Sequence, residues 1–198
     1  MSDKPEINSG RRRIIVLSAT AGGAAAVATV LPFAASMLPS ERAKAAGAPV
    51  EVDISRLQPG EMQVVEWQGK PVWIIRRTKE MLEAIKKDNE LVADPGSEVP
   101  QQPDYAKNEF RSIKEEYAVL VGVCTHLGCS PQFKAGDDKA EMGADWNGGF
   151  YCPCHGSKFD FAGRVFKGVP APINLKVPKY LYLSDTTILV GEDDKRGA

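Results

Sequence analysis

The sequence predicts a mainly β protein with one apolar helix near its N-terminus. Residues 14–38 form an apolar run, and from residue 50 onward short β-branched or alternating segments are separated by turns. All four cysteines and both histidines lie between residues 124 and 155. About 150 residues from position 50 suffice for one β-rich domain with its own core. The net charge of −1 gives no reason to expect a nucleic-acid partner.

The N-terminal segment predicts a membrane anchor. Residues 1–13 are polar and end in an arginine triplet at 11–13, directly before the apolar run 14–38. A helix over that run would measure about 37 Å, which exceeds a hydrocarbon core of about 30 Å, and Pro32 is expected to kink it. We predict one crossing over residues 14–38, with residues 1–13 on the cytoplasmic side as the positive-inside rule favours.

Two further interpretations of the N-terminus concern export and processing. An arginine pair before a moderately apolar stretch is typical of a twin-arginine export signal. An ordinary cleaved signal peptide is the alternative, since residues 43–45 resemble a small-residue cleavage site. Residues 39–49, small in side chain, are interpreted as a hinge or tether, although a helical extension fits the same composition.

Residues 50–191 predict the head domain. Thr78 is a candidate N-cap for a helix over residues 79–87, where apolar side chains recur at helical spacing. Residues 136–139 are interpreted as a hairpin tip. The predicted strands cover residues 50–54, 62–67, 72–76, 117–123, 150–151, 173–177, 180–184 and 187–190.

Three polar segments are expected at the surface. Residues 88–108 are rich in Pro, Asp and Gln and are long for a connection inside a compact domain, so we interpret them as a surface excursion. The charged side chains between residues 76 and 90 are mixed in sign and are expected to form a solvated face. Residues 192–198 are charged and are expected to fray as a C-terminal tail.

The cysteines and histidines fall in two segments that each mix both ligand types. Residues 124–129 have the sequence C-T-H-L-G-C, and residues 152–157 have the sequence C-P-C-H-G-S. A structural zinc site is one interpretation, but the ligand spacings usual for such sites do not fit these segments. A 2Fe–2S cluster in which two histidines replace two cysteines on one iron fits mixed segments better.

The two segments resemble those of the Rieske iron–sulfur subunits of bacterial quinol–cytochrome c reductases, the cytochrome bc complexes. The resemblance implies a Rieske-type antiparallel β-sandwich head with a smaller cluster-binding subdomain at about residues 119–172. It also implies one 2Fe–2S cluster and a disulfide that staples the two segments together. The implied cluster ligands are Cys124, His126, Cys152 and His155, and the implied disulfide joins Cys129 to Cys154.

The resemblance implies roles for the neighbours of these ligands. Leu127 is expected to shield the cluster edge from water, and Ser157 to donate a hydrogen bond to a cluster sulfur. Pro170, Ala171 and Pro172 are expected to cover the cluster as a lid, because two prolines around one alanine make a stiff loop.

The implied activity is electron transfer coupled to proton release. His155 is expected to bond the quinol hydroxyl through its outer ring nitrogen, with His126 as a second exposed imidazole. The first quinol electron would pass to a c-type cytochrome subunit, beside a cytochrome b subunit in a dimeric complex. The implied location is the bacterial inner membrane, with the anchor retained and the head domain periplasmic.

One departure from the family pattern has a consequence. Respiratory members commonly carry Tyr where this chain has Phe159, and a lost hydroxyl bond to sulfur should lower the cluster's reduction potential. Two other Rieske proteins remain alternatives, a ferredoxin that feeds an aromatic-ring oxygenase and a subunit of a periplasmic metalloid oxidase. The cysteine pair, the lid and the anchor favour the quinol complex.

Overall fold

The computed structural model describes residues 8–40, 43, 45 and 47–193 of the 198-residue chain. The chain divides into two compact units, residues 1–44 and residues 45–198. Predictions for the first seven residues and for most of the charged tail lie outside the described residues, as do those for parts of the hinge at 41, 42, 44 and 46.

The first unit contains a long helix, α1, which spans Ser9–Ser36. It begins before the predicted start at residue 14 because Asn8 caps it, accepting a hydrogen bond of 3.0 Å from the backbone amide three residues on. Pro32 lies inside the helix. A mean hydropathy of 2.1 over its most apolar window makes α1 long and apolar enough to cross a membrane.

The second unit contains, among the described residues, nine strands in three antiparallel sheets. The strands are β1 Val50–Asp53, β2 Met62–Trp67, β3 Lys70–Arg76, β4 Tyr117–Val121, β5 Gln132–Lys134, β6 Gly149–Cys152, β7 Ser157–Phe159, β8 Tyr180–Ser184 and β9 Thr187–Val190. Sheet A has the order β1-β9-β8, sheet B the order β2-β3-β4, and sheet C the order β5-β6-β7. The predicted fold class, mainly β with one apolar N-terminal helix, is confirmed.

Sheets A and B share one hydrophobic core. Val52 and Ile188 of sheet A and Ile74 and Leu120 of sheet B belong to a single buried cluster. Every residue of β4 is buried, as its unbroken apolar sequence predicts for a central strand. The first cysteine-containing segment therefore follows a strand that is buried along its whole length.

Trp73 links the supports of the two cysteine-containing segments. Its ring stacks on Phe150 of β6 with centroids 4.8 Å apart. A Cβ atom on Gly122, which follows β4, would lie 2.2 Å from Trp73 Cε2, so only glycine fits there. The Trp73 indole thus contacts the strands that lead into the two cysteine-containing segments.

The predicted strand at residues 173–177 is wrong. Its backbone bonds to three separate segments: Leu175 donates to Gly163, Val177 donates to Gln101, and Lys176 accepts from Val121. Since no single partner strand runs alongside, no ladder forms.

The prediction of a hairpin tip at residues 136–139 is correct only in part, since these residues do lie in the connection between two paired strands. Strands β5 and β6 do pair, with Lys134 opposite Gly149. The connection between them is longer than a turn and contains a short helix, α3, at Lys139–Met142. Strands β5 and β7 were not predicted at all, since each is only three residues long.

The predicted solvated face between residues 76 and 90 is wrong at two positions. Arg77 and Asp88 are buried. Arg77 donates to the carbonyl oxygens of Phe110 and Glu115 at 2.9 and 2.8 Å. These bonds satisfy the guanidinium, as a buried charge requires. The excursion that follows is likewise anchored rather than free, since Val92 and Ala106 within it are fully buried.

Helix α2, Lys79–Lys87, begins as predicted at an N-cap on Thr78. It is linked to the chain after β7 by Arg164, which is itself held in a buried ion pair, with its Nε 2.7 Å from Asp160 Oδ2. The same guanidinium donates to the carbonyl oxygen of Ile85 near the end of α2. These contacts therefore link α2 to the chain that follows the second cysteine-containing segment.

Candidate metal centre

The first arm, residues 124–129, is a closed turn that follows β4. The Cys124 amide donates to the Cys129 carbonyl at 2.7 Å, and the Gly128 amide donates to the Cys124 carbonyl at 3.0 Å. Gly128 has a φ of +85°, a conformation that glycine adopts without strain. His126 and Leu127 lie at the midpoint of the turn, where His126 is half-buried and Leu127 is exposed.

The second arm, residues 152–157, connects β6 to β7. Cys152 and Ser157 are paired across the two strands. The Gly156 amide donates to the Cys152 carbonyl at 2.9 Å, and Gly156 has a φ of +78°. In both arms, therefore, a cysteine carbonyl accepts a hydrogen bond from the amide of a glycine in the left-handed region.

The four cysteine sulfurs of the chain divide into one bonded pair and two thiols. Cys129 and Cys154 form a disulfide with a Cα–Cα distance of 6.8 Å. Cys124 and Cys152 are free and buried. Although Cys152 Sγ lies within 4.8 Å of both disulfide sulfurs, bonded sulfurs offer no thiolate, so this trio is not a metal site.

The two imidazoles meet at the end of the arms. The rings of His126 and His155 have centroids 4.7 Å apart and are nearly perpendicular. His155 is exposed and His126 is half-buried. Nδ1 of His126 is buried without a hydrogen-bond partner among the described residues, an unfavourable state for a polar atom that a metal ion would relieve.

The donor set fits an iron–sulfur cluster. Burial raises the pKa of the Cys124 thiol, which stands beside the Cys152 thiol. A cation would therefore help to hold the Cys124 sulfur as a thiolate. Two buried thiols, an unpaired imidazole nitrogen and a second imidazole are the donors that a cluster with mixed cysteine and histidine ligation requires.

The proline loop is tied to both arms. The Ala171 amide donates to Ser157 Oγ at 3.0 Å, and Thr125 Oγ1 donates to the Ile173 carbonyl at 2.6 Å. Ala171 is buried, whereas Pro170 and Pro172 are exposed. Because Ser157 Oγ accepts from the loop, its own proton remains available for the Cys124 sulfur, and that bond offsets only part of the rise in the thiol's pKa that burial causes.

Leu127 and Phe159, two of the residues predicted to lie beside the cluster, differ in their exposure to solvent. Leu127 is 71% exposed, so it presents an apolar side chain outward at the tip of the first arm. Phe159 is fully buried and pairs with Phe150 across β6 and β7.

The sequence did not predict a role for Thr125. A threonine between a cysteine and a histidine carries no signal that it bonds a distant loop.

Comparison with known proteins decides the family. The model of the Rieske [2Fe-2S] domain matches residues 99–180. A ubiquinol-cytochrome c reductase iron-sulfur subunit from Allochromatium vinosum is 57% identical over 188 residues, which cover 94% of this chain and 91% of that one. This chain belongs to the family of ubiquinol–cytochrome c reductase iron–sulfur subunits.

Two further matches were found. The subunit of Rhodospirillum rubrum is 42% identical over 189 residues, which cover 94% of each chain. A chain of a structure described as a hyperthermophilic respiratory complex III is 27% identical, with a TM-score of 0.45, and the match covers 88% of this chain and 98% of that one. As a Rieske protein of this family, the chain has one 2Fe–2S cluster as its cofactor.

Proposed function

We propose that this chain takes the first electron from quinol on the periplasmic side of the membrane and passes it to a c-type cytochrome subunit. The observation that carries the proposal is the pair of imidazoles at the exposed end of the arms, behind which two free thiols are buried. When bound, the 2Fe–2S cluster supplies one-electron chemistry at that end of the domain.

The proposed ligands are Cys124 and Cys152 from the buried side and His126 and His155 from the exposed side. Both thiols are free, while the other two cysteines are bonded to each other. The unpaired Nδ1 of His126 supports its assignment as a ligand. The two arms would thus contribute equally, one thiolate and one imidazole each.

His155 is the proposed contact for quinol. A ligating histidine uses one ring nitrogen and leaves the other free. Because His155 is exposed and His126 is half-buried, the outer nitrogen of His155 is the more accessible acceptor for a quinol hydroxyl proton. His126 is a second acceptor with less access to solvent.

Apolar residues at the tip are proposed to exclude water from the site. Leu127 and the two exposed prolines of the lid, Pro170 and Pro172, stand on the first arm and the loop tied to both arms. Excluding water strengthens the bond between imidazole and hydroxyl, since electrostatic interactions grow in a low dielectric.

The proposed assembly is a dimeric cytochrome bc complex in the bacterial inner membrane, with cytochrome b and c-type cytochrome partners. The name of the relatives and the long apolar helix α1 support it. Helix α1 would remain as a single-pass anchor with the arginines at 11–13 in the cytoplasm, and a twin-arginine signal would export the head domain to the periplasm.

Low-temperature electron paramagnetic resonance of the membrane-bound protein tests this function. We expect a Rieske spectrum after mild reduction with ascorbate, because quinol oxidation needs a cluster of high potential. The Cys152→Ser variant, which lacks a proposed ligand, should give no spectrum. A wild-type spectrum only with dithionite would favour a ferredoxin role, and zinc in place of iron would overturn the proposal.

A further inference from the structure

A free thiol lies beside the disulfide that joins the two arms. Sγ of Cys152 is within 4.8 Å of both Cys129 Sγ and Cys154 Sγ. Thiol–disulfide exchange requires a thiolate that attacks a disulfide sulfur. Reacting atoms in a productive arrangement lie about 3–3.5 Å apart, so a small side-chain rotation brings Cys152 to the disulfide.

We propose that the Cys129–Cys154 disulfide persists only while Cys152 is held as a cluster ligand, and that a chain without its cluster converts it to a Cys129–Cys152 disulfide. The inference rests on the proposed ligand role of Cys152. The bond between Cys129 and Cys154 breaks, the bond between Cys129 and Cys152 forms, and the proton of the Cys152 thiol ends on Cys154. One disulfide and one thiol are present before and after, so the step needs neither oxidant nor reductant.

Cys129 is the expected point of attack for two reasons. Cys154 is exposed and Cys129 is half-buried, so Cys154 is the better solvated leaving thiolate. Attack on Cys154 would instead give a bond between Cys152 and Cys154 and release the link between the arms. That link closes a sequence separation of 25 residues, worth about 3 kcal/mol in loop entropy, whereas attack on Cys129 preserves it.

Cys124 is expected to take no part. Its sulfur does not belong to the group of three sulfurs within 4.8 Å of one another. Exchange thus has a single product, and that product has lost one ligand sulfur. A chain in this state cannot take up a cluster again, so the cluster must be inserted before the disulfide forms.

Two single substitutions test the proposal in the full-length chain. Cys124→Ser and Cys152→Ser each remove one proposed ligand, but only Cys124→Ser leaves the attacking thiol in place. The proteins are kept anaerobic and quenched with acid, and their free thiols are then blocked with N-ethylmaleimide. Tandem mass spectrometry assigns Cys152 and Cys154 separately on the peptide they share.

The two variants should give different disulfide maps. In Cys124→Ser we expect a Cys129–Cys152 bond and maleimide on Cys154, while Cys152→Ser should retain the Cys129–Cys154 bond. A Cys124→Ser protein that keeps the Cys129–Cys154 bond, with maleimide on Cys152, would overturn the proposal.

Wild-type protein stripped of iron by a ferrous-iron chelator provides the second measurement. The same Cys129–Cys152 bond, with maleimide on Cys124 and Cys154, is expected there. Bonds that include Cys124 would mean that exchange follows unfolding, and would overturn the geometric argument. Iron content separates this test from that of the ligand assignment, because either variant retaining its iron would refute the assignment whatever its disulfide map.

Discussion

The two arms share one local geometry but differ in their support. Each closes on a hydrogen bond from a glycine amide to a cysteine carbonyl. The first arm follows β4, a strand buried along its whole length, while the second joins two short strands of sheet C. His126 is half-buried and His155 is exposed. Similar turns on unequal supports thus give one imidazole that is half-buried and one that is exposed.

Loss of either imidazole is the strongest test of this comparison. If both arms hold the cluster, His126→Asn and His155→Asn should each remove nearly all iron and acid-labile sulfide, despite their different exposure. Both quantities are measured per chain in purified protein. Leu127→Ala, which alters the first arm but no ligand, is the control and should retain its iron. A variant of either histidine that keeps its iron would contradict equal roles for the arms.

The support of the second arm should be sensitive to pH. Asn147, shortly before β6, donates to Asp88 at 2.7 Å, and the other oxygen of this buried carboxylate has no partner among the described residues. Burial raises the pKa of Asp88 to about 6, against about 3.9 in an unfolded chain. The folded state therefore binds the proton more tightly, and its stability falls as pH rises from about 4 through 6.

Asp88→Asn removes this titration. We expect the variant to be more stable than wild type by about 3 kcal/mol at pH 8, or about 6–12 °C in the unfolding midpoint, with little difference at pH 4. Thermal unfolding at both pH values measures the effect. Asp185→Asn is the matched control, because the side chain of Asp185 is 98% exposed. Equal shifts at pH 8 and pH 4 would refute the pKa argument.

The two hydrogen bonds to the proline loop are expected to have different effects. The bond at Ser157 should affect the reduction potential, and the bond at Thr125 should affect mainly the thermal stability. Ser157→Ala removes a hydroxyl that bonds both the loop and the Cys124 sulfur, so it should lower the midpoint potential by about 50–100 mV, equivalent to about 1–2 kcal/mol for one electron. Thr125→Val removes only the bond to the loop and should shift the potential less, while lowering thermal stability. Redox titration and thermal unfolding measure both. Equal potentials in the two variants would contradict this division.

The smallest expected effect is at Phe159. Phe159→Tyr places a hydroxyl at the end of β7, where a bond to a ligand sulfur would raise the midpoint potential by about 20–40 mV. The same addition at Phe161, which packs in the separate cluster around Ile85, is the control and should leave the potential unchanged. An unaltered or lower potential in Phe159→Tyr would refute the proposed cause of a low potential in this chain.

The sequence predicts well those structural features that depend on residues close together in the chain. Long strands such as β4, the N-cap at Thr78 and the apolar helix α1 follow from local pattern, and the structure contains each of them. The ligand types and their spacing also lie within two short segments. These features need no knowledge of distant partners, and they carried the assignment of the site.

What the sequence could not predict depends on partners far along the chain. Arg77 sits in a run of charges that resembles a solvated face, yet residues more than 30 positions away supply its hydrogen bonds. Residues 173–177 have a strand-like pattern, but their backbone partners lie on three separate segments. Thr125 and Gly122 matter only because of Ile173 and Trp73. Such pairings are set by the fold rather than by local composition.

The connection between β5 and β6 offers a place to attach a reporter. Its ends are fixed opposite each other at Lys134 and Gly149, so extra residues near the exposed Asp137 would enter and leave the sheet without displacing either arm. A peptide tag or fluorophore inserted there would travel with the head domain. Distances from that label to a second one on a partner subunit would then test whether the head domain changes position, as the predicted hinge at residues 39–49 would allow.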